Sequence, residues 1–480
     1  MLRGLFFAFS AAAMYAQTAP APVRPLYVLE DSYLNWRLTP DQQAYASIDG
    51  KHLKTYVEDQ AAISRRYRDN GHPQFWGRIS GTEADAENAK WLEEKFRAIG
   101  LSDVHQQMFD LPDQWMAQSW SVTAAGGGKT LELGSAQPCY RTVATPAEGL
   151  DLEAVDAGLA TDAELNARDL KGKAVFFYST DYFSRHSTIS GGAWKRIADR
   201  GAAAIFVILA VPGNIKTQFY PVGTQVPSFS LGLQDGVAMR ALIDSGTAPH
   251  VKIRLAVNSV PNLKTSTVWG TLQGSTDENV VIVAHRDGWF EGANDNGTGI
   301  ATMIGLAEYF AKIPKERRGR TIIFAGTSGH HDGAALSGKW FTDHKEFFAK
   351  TALLINCEHT AAEQLVLSNG VIRKTNTSTA QTWYVGGSKK LADIVVNAYQ
   401  NFGVATFDVP ERSAAGEMGR YQNHAPSIQV IDTGLYWHSD HETPEIIPPT
   451  ALAAITRAYA KIITDVNGLS VADLQRTAAN

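Results

Sequence analysis

Cysteine is nearly missing from this chain: there are two in 480 residues, Cys139 and Cys357. Export would permit a disulfide between them. Their distance in sequence, and the apolar run Leu353 to Cys357, point instead to two buried, unpaired thiols. A bilayer-spanning apolar run is missing too, since Leu5 to Met14 is too short. That run follows Arg3 and precedes small residues up to Ala16, so residues 1–16 read as a secretory signal peptide cleaved near Ala13 to Ala16. A short membrane anchor is the alternative. The mature chain is then expected to be secreted or periplasmic, with no stable membrane insertion. Excess positive charge is also missing. The net charge of −5 argues against a nucleic-acid partner. There is no internal repeat, and the one low-complexity tract is Thr18 to Pro25, within a linker at 17–38.

What is present is a chain long enough for two or three domains. Residues 39–137 read as helices and a strand that belong with 256–468, and 469–480 as a tail. Residues 138–255 have a different texture, with strands at Ala174 to Tyr178 and Ala202 to Ala210 and helices near Gly192 to Arg200 and Gln234 to Ser245. They hold no cluster of His, Cys or acidic residues, and read as an inserted domain. From Thr267 onward, apolar strands alternate with helices, among them Ala334 to Lys350, Lys389 to Phe402 and Thr450 to Val466. This predicts an α/β fold, a mostly parallel central sheet with helices on both faces.

The chemistry lies where the strands stop. Val280 to Ala284 ends in His285-Arg286-Asp287. Ten residues after His285 comes Asp295, in a Gly- and Asn-rich turn before a helix. Arg320 to Ala325 leads to His330-His331-Asp332, and Ala352 to Cys357 to Glu358-His359. Pro426 to Ile431 leads through Asp432 to His438 and Glu442. Parallel strands put these ends on one edge, where open α/β sheets bind ligands. Imidazoles and carboxylates suit zinc when no thiolate is offered. Asp295 is placed to bridge two ions. Asp287 is placed to accept from the second ring nitrogen of His285. His359 and His441 read as neighbours rather than ligands, and Glu291, Asp332 and Asp440 as solvated. Trp289, Phe290, Tyr436 and Trp437 are either an aromatic wall or core.

The stretch AHRDGWFEGANDNGTG, Ala284 to Gly299, resembles the metal-binding signature of the co-catalytic zinc exopeptidases, a family of secreted aminopeptidases and glutamate carboxypeptidase-like proteins. The insert resembles a protease-associated domain, on Gly172-Lys173-Ala174 and Gly201 to Ile205. The resemblance implies a zinc aminopeptidase-like fold, one or two zinc ions, and a peptide or N-acyl amide substrate. Carried over, the metal ligands are His285, Asp295, His331, Glu358 and His438. Two positions depart from the family. Its Glu-Glu pair, general base then ligand, falls on His330-His331, and its second-metal Asp falls on Glu358. His330 becomes the candidate for proton transfer, or a further ligand, and Glu417 a possible replacement carboxylate. The implied function is a secreted zinc-dependent hydrolase. A binding protein on a retired peptidase fold, and a mononuclear zinc enzyme like the glutaminyl cyclases, are the alternatives. Only one long helix and a short tail follow Glu442, so dimerisation through a C-terminal helical domain is not indicated, and the oligomeric state stays open.

Overall fold

The structure is a computed structural model that describes residues 37–179, 192–221, 223–331, 336–431 and 434–475. The expected signal peptide, most of the linker, Asp332, Asp432 and the end of the tail lie outside these residues.

Two helices precede the central sheet. The first, α1 (Gly50–Asp69), is capped by Asp49, whose side chain accepts from Lys51 and His52. The second, α2 (Glu83–Ile99), starts at Thr82, which accepts from Asp85 N, and stops at Gly100 in a left-handed conformation. Strand β1 (Ser102–Asp110) follows. After the insert come β2 (Lys264–Leu272), β3 (Asn279–His285), α3 (Gly299–Ala311), β4 (Thr321–Thr327) and β5 (Thr351–Cys357). The chain ends with β6 (Thr382–Gly386), α4 (Lys389–Phe402), β7 (Ser427–Ile431), α5 (Pro449–Val466) and a short helix at Val471–Leu474.

The sheet runs β6-β7-β5-β3-β4-β2-β1. Its centre, β7, β5, β3 and β4, is parallel. Strands β6, β2 and β1 add antiparallel edges. The apolar run of β3 is buried on both sides, as a central parallel strand must be. Val280, Ile282 and Ala284 face the core shared with α1 to α5, and Val281 and Val283 face Trp340, Phe341 and Phe348. The helix expected over Ala334 to Lys350 is two, Leu336–Asp343 and Lys345–Phe348, parted at His344 by its non-helical backbone. Four strand carboxyl ends therefore meet along one edge.

A second, eight-stranded sheet is built from residues 114–260. It begins earlier than the boundary at 138 read from sequence. The strand Gln114–Gly126 pairs antiparallel with His250–Val260, from Gln114 opposite Val260 to Ala125 opposite His250. Half-exposed along much of its length, that strand carries no apolar run to announce it. A largely exposed hairpin, Glu363–Ser368 with Val371–Ser378, also left no periodic signal. Both cysteines are buried and free. Among the described residues, no helix is long and apolar enough to cross a membrane.

Candidate metal centre

His285 is the last residue of β3 and is fully buried. Its Nδ1 lies 3.2 Å from the carbonyl oxygen of Asp287. The Asp287 carboxylate is farther away, at 3.6 Å, and accepts instead from His331 N at 2.9 Å. Asp287 thus meets His285 Nδ1 twice, through its carbonyl oxygen and, at ion-pair distance, through its carboxylate, whose other oxygen holds His331 N.

Asp295 is the hub. His285 Nε2 is 3.3 Å and His331 Nε2 3.1 Å from its Oδ1, while His438 Nε2 is 2.9 Å from its Oδ2. Trp437 Nε1 donates to Oδ2 at 2.7 Å. His359 Nε2 also stands 3.1 Å from Oδ1, although the sequence marked it as a neighbour. His359 has a left-handed backbone, φ 47°, which turns its ring inward from the end of β5. A histidine directly after a candidate ligand at a strand end was the available signal.

Glu358 reaches the same space despite its extra methylene. Its Oε1 is 3.9 Å from His285 Nε2 and 3.6 Å from His330 Nε2. Its Oε2 accepts from Asn356 Nδ2 at 2.6 Å and from Glu417 N at 3.1 Å. Room for it comes from Gly416: a Cβ there would lie 2.0 Å from Glu358 Oε1, and φ is +56°. Gly416→Ala is therefore expected to displace Glu358 and to cost about 1–3 kcal/mol from backbone strain alone. Urea unfolding of the metal-free protein reads the second effect, and zinc content the first. Glu417 is buried and accepts from Thr327 Oγ1 at 2.6 Å.

Other groups hold the frame. Glu442 is buried; its two oxygens accept from Asp295 N and His438 N, each at 2.6 Å. Burial, with the nearby charge of Asp295, pushes its carboxyl up to about 8. Arg78, fully buried, donates to the carbonyls of Arg286, Glu291 and Gly292 and so braces the loop into Asp295. Sequence reading named Glu442 only as part of the polar stretch after the fourth strand and passed over Arg78. Glu291 is corrected from solvated to buried, paired with Arg65 at 2.7 Å. Asp440, a quarter exposed, accepts from Lys216 N, and the exposed His441 turns to Asp440 rather than to Asp295. Trp289 and Phe290 are core.

Among the described residues, two groups could hold an ion: His285, Asp295 and His331, and His285, His330 and Glu358, with donor atoms in each group within 4.8 Å of one another. They overlap at His285. The surroundings fit a cation. His285 Nε2 is buried with no hydrogen-bond partner beside two carboxylates. Burial depresses its pKa, but the carboxylates of Asp287, Asp295 and Glu358 outweigh it and push the group up to about 10. Burial is also opposed at Asp295, where the charges of His331 and His359 hold the carboxyl well below its ordinary range. Burial keeps His438, at about 3, and His330 in the neutral form that binds metal. Nitrogen and oxygen donors without thiolate are the zinc pattern.

Residues 267–463 match the model of peptidase family M28. Aminopeptidase YwaD of Bacillus subtilis is 23% identical over 381 residues, covering 77% of this chain and 74% of that protein. The structure of a zinc aminopeptidase from Bacillus subtilis superposes with a TM-score of 0.64 at 18% identity, over 89% of this chain and 98% of that one. A peptidase M28 precursor from Shewanella amazonensis gives 0.67 at 18%, over 90% and 100%. Residues 267–463 thus match peptidase family M28, and the fold of the chain is similar to that of the zinc aminopeptidase and peptidase M28 precursor structures.

Proposed function

We propose that this protein is a zinc-dependent hydrolase that cleaves a peptide or N-acyl amide bond. The observation that carries the reading is the single carboxylate of Asp295 with His285, His331 and His438 at 3.3 Å or less. The family pattern would put His285, Asp295 and Glu358 on one ion and Asp295, His331 and His438 on a second, while the donor atoms already within 4.8 Å of one another are those of His285, Asp295 and His331, and of His285, His330 and Glu358. Bound zinc supplies a polarised carbonyl and a water acidified toward neutral pH. The rest falls to the chain. Trp437 and Glu442 fix Asp295 from opposite sides, through its Oδ2 and its N–H. Asp287 anchors the backbone of His331. The 114–260 unit acts as a protease-associated domain, and residues 1–16 direct export.

His330 is assigned the proton. It stacks on His285 with centroids 4.2 Å apart, and its side chain is 23% exposed, the most open of the five histidines gathered here. A base must reach the substrate side of the centre, and a neutral imidazole there can accept a proton. His330→Ala is expected to lower turnover by about 10²–10⁴-fold with zinc content unchanged. Loss of zinc in that variant would move His330 to the ligands, and unchanged turnover would remove it from the chemistry. For the activity itself, the zinc-loaded protein is expected to hydrolyse aminoacyl or N-acyl anilides and to stop with a chelator. A protein that binds zinc and cleaves none of them is a binding protein on this fold.

A further inference from the structure

We infer that Tyr220, supplied by the 114–260 unit, is a positioning residue for His331, so that this unit completes the metal centre rather than merely accompanying it. The inference rests on the reading above that His331 and His438 hold zinc.

The two units are stitched at the ligand loop. Gln218 N donates to the carbonyl of His438 at 2.8 Å, and Asp440 N to the carbonyl of Lys216 at 3.0 Å. Lys216 N donates in turn to Asp440 Oδ1 at 3.1 Å, and Thr217 and Ser439 form an antiparallel bridge. His438 needs such support, because its φ of 57° is a strained region for a residue with a side chain. Two residues beyond Gln218, the Tyr220 ring lies edge-on to His438 with centroids 5.8 Å apart.

The Tyr220 hydroxyl then does for His331 what an outer carboxylate or carbonyl does for most metal-bound histidines. It donates to the carbonyl of His331 at 3.2 Å, and Trp289 Nε1 donates to it at 3.1 Å. A phenol has one proton and two acceptor positions. With its proton on the His331 carbonyl, the hydroxyl oxygen is an acceptor for the Nδ1–H of His331, 3.4 Å away. Fixing the proton on Nδ1 leaves the lone pair on Nε2, the atom that stands 3.1 Å from Asp295. A carboxylate ligand has no tautomer to choose, whereas an imidazole does. Replacing Glu by His at this ligand position therefore creates a demand that Tyr220 meets from another sheet.

The test compares wild type, Tyr220→Phe and Tyr178→Phe as full-length zinc-loaded proteins. Tyr178 donates to the carbonyl of Gly236 inside the 114–260 unit, so its variant controls for general loosening. Chelator competition gives zinc affinity, and the visible absorption of the cobalt-substituted proteins reports ligand geometry. Tyr220→Phe is expected to weaken zinc by about 10-fold or more and to shift the cobalt bands, with Tyr178→Phe like wild type. Wild-type affinity and bands in Tyr220→Phe would overturn the inference and leave the zinc reading standing. Equal weakening in both variants would also overturn it. A wild type that takes up neither metal would sink the zinc reading itself.

Discussion

Replacing Asp295 with Ala is expected to empty the centre of zinc and abolish hydrolysis together. Partners around a ligand are worth about 10–100-fold in metal affinity, so a carboxylate shared between ligands must be worth more. The structure gives a further reason. Asp295 supplies the negative charge that three candidate ligand imidazoles and His359 gather around, at 2.9 to 3.3 Å. Without it, ion binding brings positive charge into a ring of nitrogens with Glu358 and Asp287 left to answer it. Asp295→Asn is the companion variant: it keeps the shape and an acceptor for Trp437 Nε1 but removes the charge. Both are read by metal analysis and by turnover. Zinc retained at wild-type stoichiometry in both variants would take Asp295 out of the ligand set. A folded but zinc-poor Asp295→Asn separates ligand loss from collapse.

The second large effect is on stability. Arg286, directly after His285, is fully buried. It donates to the side chain and carbonyl of Asp85 and to the carbonyl and hydroxyl of Ser266. Asp85 also accepts from Gly81 N, Thr265 Oγ1 and Ser328 Oγ, so it joins the start of α2 to strand ends on both sides. Asp85→Ala leaves a buried guanidinium without its counter-charge, at an expected cost of about 3–5 kcal/mol. Denaturant unfolding measures it. Removing the stranded charge as well, in Asp85→Ala with Arg286→Met, should recover a large part of the loss, because a buried pair replaced by apolar groups is often close to neutral. A double variant no more stable than Asp85→Ala would show that the carboxylate acts through its other hydrogen bonds.

These two residues mark what sequence could and could not tell. The central strands were legible because burial on both faces leaves uninterrupted runs such as Val280 to Ala284. His285, Asp295 and His438 were legible because their surroundings follow a known pattern. The partners of the frame were not. Arg78 and Asp85 precede His285 by about two hundred positions, and they act on main-chain carbonyls and through a distant carboxylate, contacts that carry no local sequence signature. Glu358 illustrates the same limit at closer range. Its extra length looked like a defect until Gly416, 58 positions on, proved to be the space it fills. His359 was read as a neighbour of the ligands, and it stands 3.1 Å from Asp295 without belonging to either ion-holding group.

The stitching at Lys216 to Tyr220 has a consequence for how the protein can be divided. The stretch that matches the peptidase family begins at residue 267, yet the loop of His438 is paired with a segment some fifty positions upstream of that point. Arg78 and Asp85 lie farther upstream still. A fragment trimmed to residues 267–463 would keep His285, Asp295, His331, Glu358 and His438 and lose the groups that aim them. In this chain the list of ligands is local, but the geometry of the centre is a property of the chain from 78 to 442, and there is no smaller piece that owns it.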